Sequence, residues 1–150
     1  MAGRASHGSG FGRRRLRSSC PAPPPGAWTR TVTPTPVLLF RFSALTFNAH
    51  RIHYDRPYAV NEEGYPGLVV HGPLTAVLLL DLVHRHTDRT VISYSFRGRA
   101  PLFDPAPFRL VGQPEDDAVA LEAQPSRLAL ASDLIGCALI RAETFASWFP

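Results

Sequence analysis

Fourteen residues near the middle of the chain constrain its fold more than any others. The stretch 73–86 opens on Pro73, carries Leu74, Ala76, Val77, Leu78, Leu79, Leu80, Leu82 and Val83, and closes on His84, Arg85 and His86. Proline suits the first helical position, where its missing N–H has no intrahelical acceptor, and Gly72 stands at the cap before it. Basic groups in the last turn complement the carbonyl end of the helix dipole. A helix that is apolar nearly all round cannot lie on a surface; something must enclose it.

The enclosing material follows in the sequence. Ile92, Tyr94 and Phe96 alternate with Ser93, Ser95 and Arg97, the two-residue period of a strand. Residues 108–111, 118–122 and 128–131 read as further strands, and Pro101, Pro105 and Pro107 break the chain between the first two. Ahead of the helix, Val37-Leu38-Leu39-Phe40-Arg41-Phe42 reads as a strand that is apolar on both faces at its start. Residues 46–61 are polar and histidine-rich and fall in loops or one short helix, punctuated by Pro57 and then Gly64, Pro66 and Gly67. Leu68-Val69-Val70 leads into the helix. The expected fold is α+β, an antiparallel sheet wrapped around one long central helix.

Charge divides the chain near residue 30. Its 16 basic side chains are all arginine, against 12 carboxylates, for a net charge of +4. Residues 1–30 hold six of the arginines and no carboxylate, and they include Pro23-Pro24-Pro25. Such a segment cannot bury enough apolar surface to offset its ordering entropy and is expected to be disordered. A passive linker or mis-assigned start, an organellar transit peptide, and an arm for nucleic acid or a membrane surface are its three readings. Residues 31–150 hold ten arginines against all twelve carboxylates. The basic pI of 9.7 therefore belongs to the tail, and the domain over 31–150 is not a basic nucleic-acid binder. The longest apolar stretch near the middle, residues 76–80, stops at Asp81, far short of a membrane span. Cys20 and Cys137 form no disulfide framework and point to a reducing compartment. The cytoplasm is the expected location, or the mitochondrion if residues 1–30 act as a transit peptide.

Five of the six histidines lie between residues 50 and 86. Asn48, His50, His53 and Asp55 share one short stretch, which can position a water and move a proton, because histidine titrates near neutrality. The same residues also suit a solvated loop whose histidines cap backbone groups, and composition leaves both readings open. His50 and His53 at three-residue spacing could share a metal, but no third or fourth ligand stands at a metal-site spacing, so no metal is expected. At Val70-His71-Gly72-Pro73-Leu74 the amides of Gly72, Leu74 and Thr75 stand at a helix start, where unpaired N–H groups can polarise a carbonyl oxygen. An ordinary proline-started helix has the same sequence. No phosphate loop, dinucleotide fingerprint or nucleophile elbow is present, and Ser43, Ser93 and Ser95 lack a serine-hydrolase context.

Three segments together carry a resemblance: Phe40 to Asn48 continuing through His53-Tyr54-Asp55; Gly64-Tyr65-Pro66-Gly67-Leu68-Val69-Val70-His71-Gly72-Pro73-Leu74; and Arg99-Ala100-Pro101-Leu102-Phe103-Asp104 with Pro107-Phe108. Over about residues 30–131 the chain resembles the MaoC-like hot-dog-fold acyl-CoA hydratases and dehydratases. Within them it is most similar to the branch of mesaconyl-CoA (3-methylfumaryl-CoA) hydratases and 3-hydroxyacyl-thioester dehydratases. The resemblance implies water addition to a 2-enoyl-CoA thioester, or its reverse, with no cofactor beyond the CoA that the substrate carries. The broader family has Asp-x-Asn-Pro-x-His over its site. Asn48 takes the place of the Asp, as in the closest branch, His50 that of the Asn, and His53 that of the His.

The implied roles are His53 as acid and base, Asn48 as water holder, Asp55 as tuner of His53, and Gly72 and Leu74 as donors to the thioester carbonyl. His50, Arg51, Tyr65, His71, Arg97 and Arg99 are the implied substrate contacts, the last two for the CoA phosphates. The closest branch joins two hot-dog halves in one chain and this sequence resembles the second, so a homodimer or a second hot-dog subunit is implied. A hot-dog thioesterase and a silent half-domain that binds acyl thioesters or a partner are the alternatives. Neither nucleic acid nor a membrane is an expected partner.

Overall fold

The computed structural model describes residues 22–104 and 106–125, together with the backbone of a strand at 138–145. The first strand, β1 (Trp28–Val32), straddles the division expected at residue 30. The chain then runs through α1 (Pro36–Thr46), a 3-10 turn at Arg51–His53, α2 (Arg56–Asn61) and α3 (Gly72–His84). It ends in β2 (Thr90–Arg97), β3 (Phe108–Pro114), β4 (Ala118–Pro125) and β5 (Ala138–Phe145).

The helix expected over 73–86 is α3. His71 is its N-cap, so Gly72 and Pro73 each stand one place further in than the sequence suggested. His86 donates its Nδ1 proton to the Leu82 carbonyl (2.8 Å) and closes the other end. Leu74, Thr75, Leu79, Leu82 and Val83 are buried, while one stripe faces outward in the single chain, with Val77 57% exposed. The helix packs on β1, β3 and β4, and the Tyr94 hydroxyl of β2 donates to the Ala76 carbonyl (2.7 Å).

The sheet has the order β1-β3-β4-β5-β2, with every neighbouring pair antiparallel. Phe108, Leu110, Val119, Leu121 and Ala123 join the α3 side chains in one core. Burying this much apolar side chain is the main term opposing chain entropy, at roughly 25 cal/mol per Å². The strands expected at 108–111 and 118–122 are β3 and β4, each longer than its apolar run. The expected strand at 128–131 lies outside the described residues, as do Cys20 and Cys137. β5 was not foreseen.

Two expectations need correction. Residues 37–42 are helix, not strand. Thr35 accepts the Leu38 amide on its hydroxyl (3.2 Å), and Pro36 starts the first turn, a cap signal stronger than the short apolar run that follows it. Such runs do not distinguish a strand from a helix by periodicity. In β2 a register shift between Val91 and Ser93 places two residues where one would pair. Val91, Tyr94 and Phe96 therefore pack against the core, and Ile92 turns outward, against the simple alternation.

Candidate active site

Two hydrogen bonds to the Val69 backbone bring the histidine-rich turn to the start of α3. Val69 donates its N–H to the Ile52 carbonyl (3.0 Å), and the Val69 carbonyl accepts from His53 Nδ1 (2.8 Å). A carbonyl can only accept, so the His53 proton sits on Nδ1 and the lone pair on Nε2. His53 is buried, and its ring stacks on that of His71 with centroids 3.7 Å apart. His50 meets the His53 ring edge-on at 5.6 Å. Burial pushes the His53 pKa below the ordinary histidine value; the Val69 carbonyl opposes this, and His50 adds to it. Histidine 53 is thus a neutral base with a defined tautomer.

A cavity of about 230 Å³ opens beside it. His53 and Gly72 both line it, with Thr75, Phe96, Leu102 and Ala123 among the other walls. The Thr75 amide is taken by the His71 carbonyl (3.1 Å), and Pro73 has no N–H. Of the three amides expected to polarise a carbonyl, Thr75 is therefore excluded, and Gly72 and Leu74 remain as first-turn donors with no partner among the described residues. Gly72 is the one whose residue lines the cavity. The structure thus brings the imidazole and the helix start to one opening, although the residues stand far apart in sequence.

The other expected site residues go elsewhere. Asn48 Oδ1 accepts the His50 amide (3.0 Å), which holds the turn that leads into His53, and Asn48 does not line the cavity. Asp55 does not touch His53. Its carboxylate caps α2 on the Tyr58 amide (3.1 Å) and pairs with Arg51 (2.8 Å), and these bonds, the arginine first, hold its pKa below the usual range. The His53 Nδ1 that a tuning carboxylate would hold is taken by the Val69 carbonyl. Arg51 lies over the Tyr58 ring at 4.1 Å, and Tyr65 packs on Phe103. Both stand outside the cavity wall. Arg97 and Arg99 are exposed and flank Gly98, which lines the cavity rim. His71 is buried behind His53 and lines no part of the cavity.

Several groups escaped the sequence reading. Ser43 Oγ is 2.8 Å from His71 Nε2, a contact between α1 and the N-cap of α3. The cavity wall at residues 98–102 is pinned by Asp104, whose fully buried carboxylate accepts the Leu68 amide (2.6 Å) and pairs with Arg56. Gly67 is required there, since a Cβ would stand 2.6 Å from the Asp104 carbonyl oxygen. The three glycines and prolines of residues 64–67 hinted at a tight turn, but nothing in the sequence pointed to its acidic partner. Among the described residues no group of three or more His, Cys, Asp or Glu side chains could hold a metal ion, and no helix is long and apolar enough to cross a membrane.

Burial and then the His53 ring lower the His71 pKa from 6.5 to about 4. Between these values the unfolded chain binds the proton that the folded chain refuses. Stability is then complete above pH 6.5 and is lost as pH falls toward 4, by about 3 kcal/mol. The lowered His53 pKa acts in the same direction. Denaturant unfolding at neutral pH and near pH 4.5 should show this loss. A variant with His71→Phe, which has nothing to titrate, should lose less, and an equal loss would refute the assignment.

An antiparallel sheet laid over a helix, with an imidazole and that helix's first residue lining one cavity, is the architecture of a hot-dog-fold protein. The particular family follows from comparison. The pattern of the hydroxyacyl-thioester dehydratase type 2 family matches residues 12–104, and the chain belongs to that family. The match begins inside the arginine-rich segment, earlier than the resemblance read near residue 30. The chain is 66% identical over 111 residues to the mesaconyl-C(4)-CoA hydratase of Chloroflexus aurantiacus, covering 69% of this chain and 40% of that protein. It is 41% identical over 81 residues to the mitochondrial hydroxyacyl-thioester dehydratase type 2 of Schizosaccharomyces pombe, covering 52% of this chain and 27% of that one. The chain thus spans well under half the length of either relative.

Among solved structures, an R-hydratase of Pseudomonas aeruginosa superposes with a TM-score of 0.64 at 12% identity, over 90% of this chain and 91% of that one. A chain of the ChsH1–ChsH2 complex of Mycobacterium tuberculosis gives 0.59 at 12% identity, over 85% and 98%. These likenesses establish the hot-dog fold.

Proposed function

We propose that the chain is a hydro-lyase subunit that adds water reversibly to the double bond of a 2-enoyl-CoA thioester, mesaconyl-CoA or 3-methylfumaryl-CoA being the leading substrates. The observation that carries this reading is the shared cavity of His53 and Gly72. The relatives' names, a hydratase and a dehydratase, support the same class.

In the forward direction His53 Nε2 takes a proton from water as the water oxygen bonds to C3 of the enoyl group. The C2–C3 π electrons move to the thioester, leaving an enolate oxygen that the Gly72 amide holds. A donor aimed at developing charge in a dry site stabilises the transition state more than the ground state. Collapse of the enolate with proton return from the His53 imidazolium to C2 completes the addition, and the ring is neutral again. Asn48 acts through the turn it caps, Leu74 reinforces the helix-start field, and Arg97 and Arg99 meet the CoA phosphates outside the rim.

The working unit is a pair, made with a second copy or another hot-dog subunit. Val37, Phe40, Leu45 and Phe47 on and after α1, with Val77 on α3 and Ile92 on β2, leave apolar surface exposed in the single chain. Large apolar side chains left in water are what a second subunit would cover. The much greater length of the hydratase relative leaves room for a second such domain.

The test uses the full chain, with crotonyl-, mesaconyl- and 3-methylfumaryl-CoA, and the oligomeric state measured on the same sample. Loss of the enoyl-thioester absorbance by a paired species is the expected result. Release of free thiol would show a thioesterase instead, and a protein that consumes none of the three would be a binding half-domain; either overturns the hydratase reading.

A further inference from the structure

We propose that His71, held by Ser43, is a positioning residue: its ring is the wall that fixes and dehydrates the His53 imidazole beside the start of α3. For its kinetic consequence this inference rests on the hydratase reading above; its structural consequence does not.

The pair Ser43 and His71 has the spacing of a nucleophile and its base, 2.8 Å. It cannot act as one, because Ser43 is 5% exposed, His71 is 1% exposed, and neither lines the cavity. Its chemistry is therefore directed inward, at His53. His71 Nδ1 is buried and has no partner among the described residues. Buried N–H groups are left without an acceptor more rarely than acceptors are left without a donor, so the proton belongs on Nε2 and is donated to Ser43 Oγ. Phe42, one residue earlier on α1, meets the same ring edge-on at 4.8 Å. Two successive residues of α1 thus hold the His71 ring.

The near side carries His53, stacked at 3.7 Å with 19° between the ring planes. His71 is the N-cap of α3, so the residue that covers the base is the neighbour of Gly72. One side chain therefore sets both the hydration of the imidazole and its distance from the helix-start amide. The titratable groups that face this stack among the described residues are His50, edge-on to His53, and the two rings themselves. From α1 come only Ser43 and Phe42, and from the 69–72 segment the Val69 carbonyl.

The experiment follows the His53 ring through a pH titration by NMR in the full chain, beside steady-state kinetics, for wild type, Ser43→Ala and Ser43→Thr. In Ser43→Ala the His71 ring is released, water reaches His53, and its titration midpoint rises toward 6.5. Turnover falls about 10- to 100-fold while KM stays within about twofold, because misplacement penalises chemistry more than binding. Ser43→Thr retains the hydroxyl and restores both. If Ser43→Ala does not fold, His71→Phe and His71→Ala replace it: the phenyl ring keeps the His53 midpoint low, and alanine lets it rise. A midpoint unmoved by Ser43→Ala and by His71→Ala overturns the proposal, as does a change confined to KM. A chain that hydrates nothing, yet whose His53 midpoint responds, would refute the hydratase reading and uphold this one. Hydration with an unresponsive midpoint would do the reverse.

Discussion

Replacing His53 by glutamine is expected to lower turnover of an enoyl-CoA thioester by about 10²–10⁴-fold, the usual range for a positioned acid–base group. Glutamine can still donate a hydrogen bond to the Val69 carbonyl, which His53 Nδ1 holds at 2.8 Å. It has no nitrogen that can take a proton from water near neutral pH. The Gly72 amide is untouched, so the thioester carbonyl keeps its donor and KM should change little. Steady-state kinetics against the substrate that the wild type prefers, with unfolding midpoints to exclude a damaged fold, decides the matter. Turnover within fivefold of wild type would remove His53 from the mechanism.

Asp104→Ala should have the largest effect on stability, a loss of about 3 kcal/mol and a fall of roughly 6–12 °C in the melting midpoint. The carboxylate is fully buried and serves two partners, the Leu68 amide and the Arg56 guanidinium. Alanine leaves a buried N–H without an acceptor, at about 1–3 kcal/mol, and removes a charge-assisted bond of about 1.5–3 kcal/mol. Arg56 is 44% exposed and can regain water, which keeps the loss at the low end of the range for broken buried pairs. The backbone here is also tied reciprocally, with the Asp104 amide on the Leu68 carbonyl (3.0 Å) and the Val70 amide on the Leu102 carbonyl (2.8 Å). Loosening this tie loosens the 98–102 wall of the cavity, so KM for the acyl substrate should rise as well. Calorimetry of the variant beside Arg56→Ala would check the account, and a midpoint within 2 °C of wild type would refute it.

Where local pattern and tertiary demand agreed, the sequence was legible. The α3 stretch is apolar over most of its circumference with a proline near its start, and β3 and β4 have the composition of half-buried strands; each has the expected secondary structure, although one stripe of α3 stays exposed in the single chain. His53 and Gly72, singled out through a family resemblance, line one cavity. The failures have identifiable causes. At 36–46 the Thr35-Pro36 cap outweighs the strand character of the short apolar run that follows it. In β2 one bulge reversed the facing of Ile92. Asp55 lies two residues from His53, yet its carboxylate satisfies a helix terminus and an arginine, because sequence nearness does not orient a side chain.

The sequence by itself determined that an apolar helix had to pack against strands, that the charge imbalance belonged to the first 30 residues, and that a histidine-rich turn and a proline-started helix were both present. Only the tertiary structure decided which nitrogen of His53 is basic, since that depends on a carbonyl sixteen residues away. It also decided that Ser43 and His71 stand behind that ring and that Asn48 and Asp55 do not touch it. The physical reason is range. Hydrophobic periodicity and capping act over one or two turns of chain, whereas hydrogen-bond partners and ring stacks are chosen among groups that only packing brings within 4 Å.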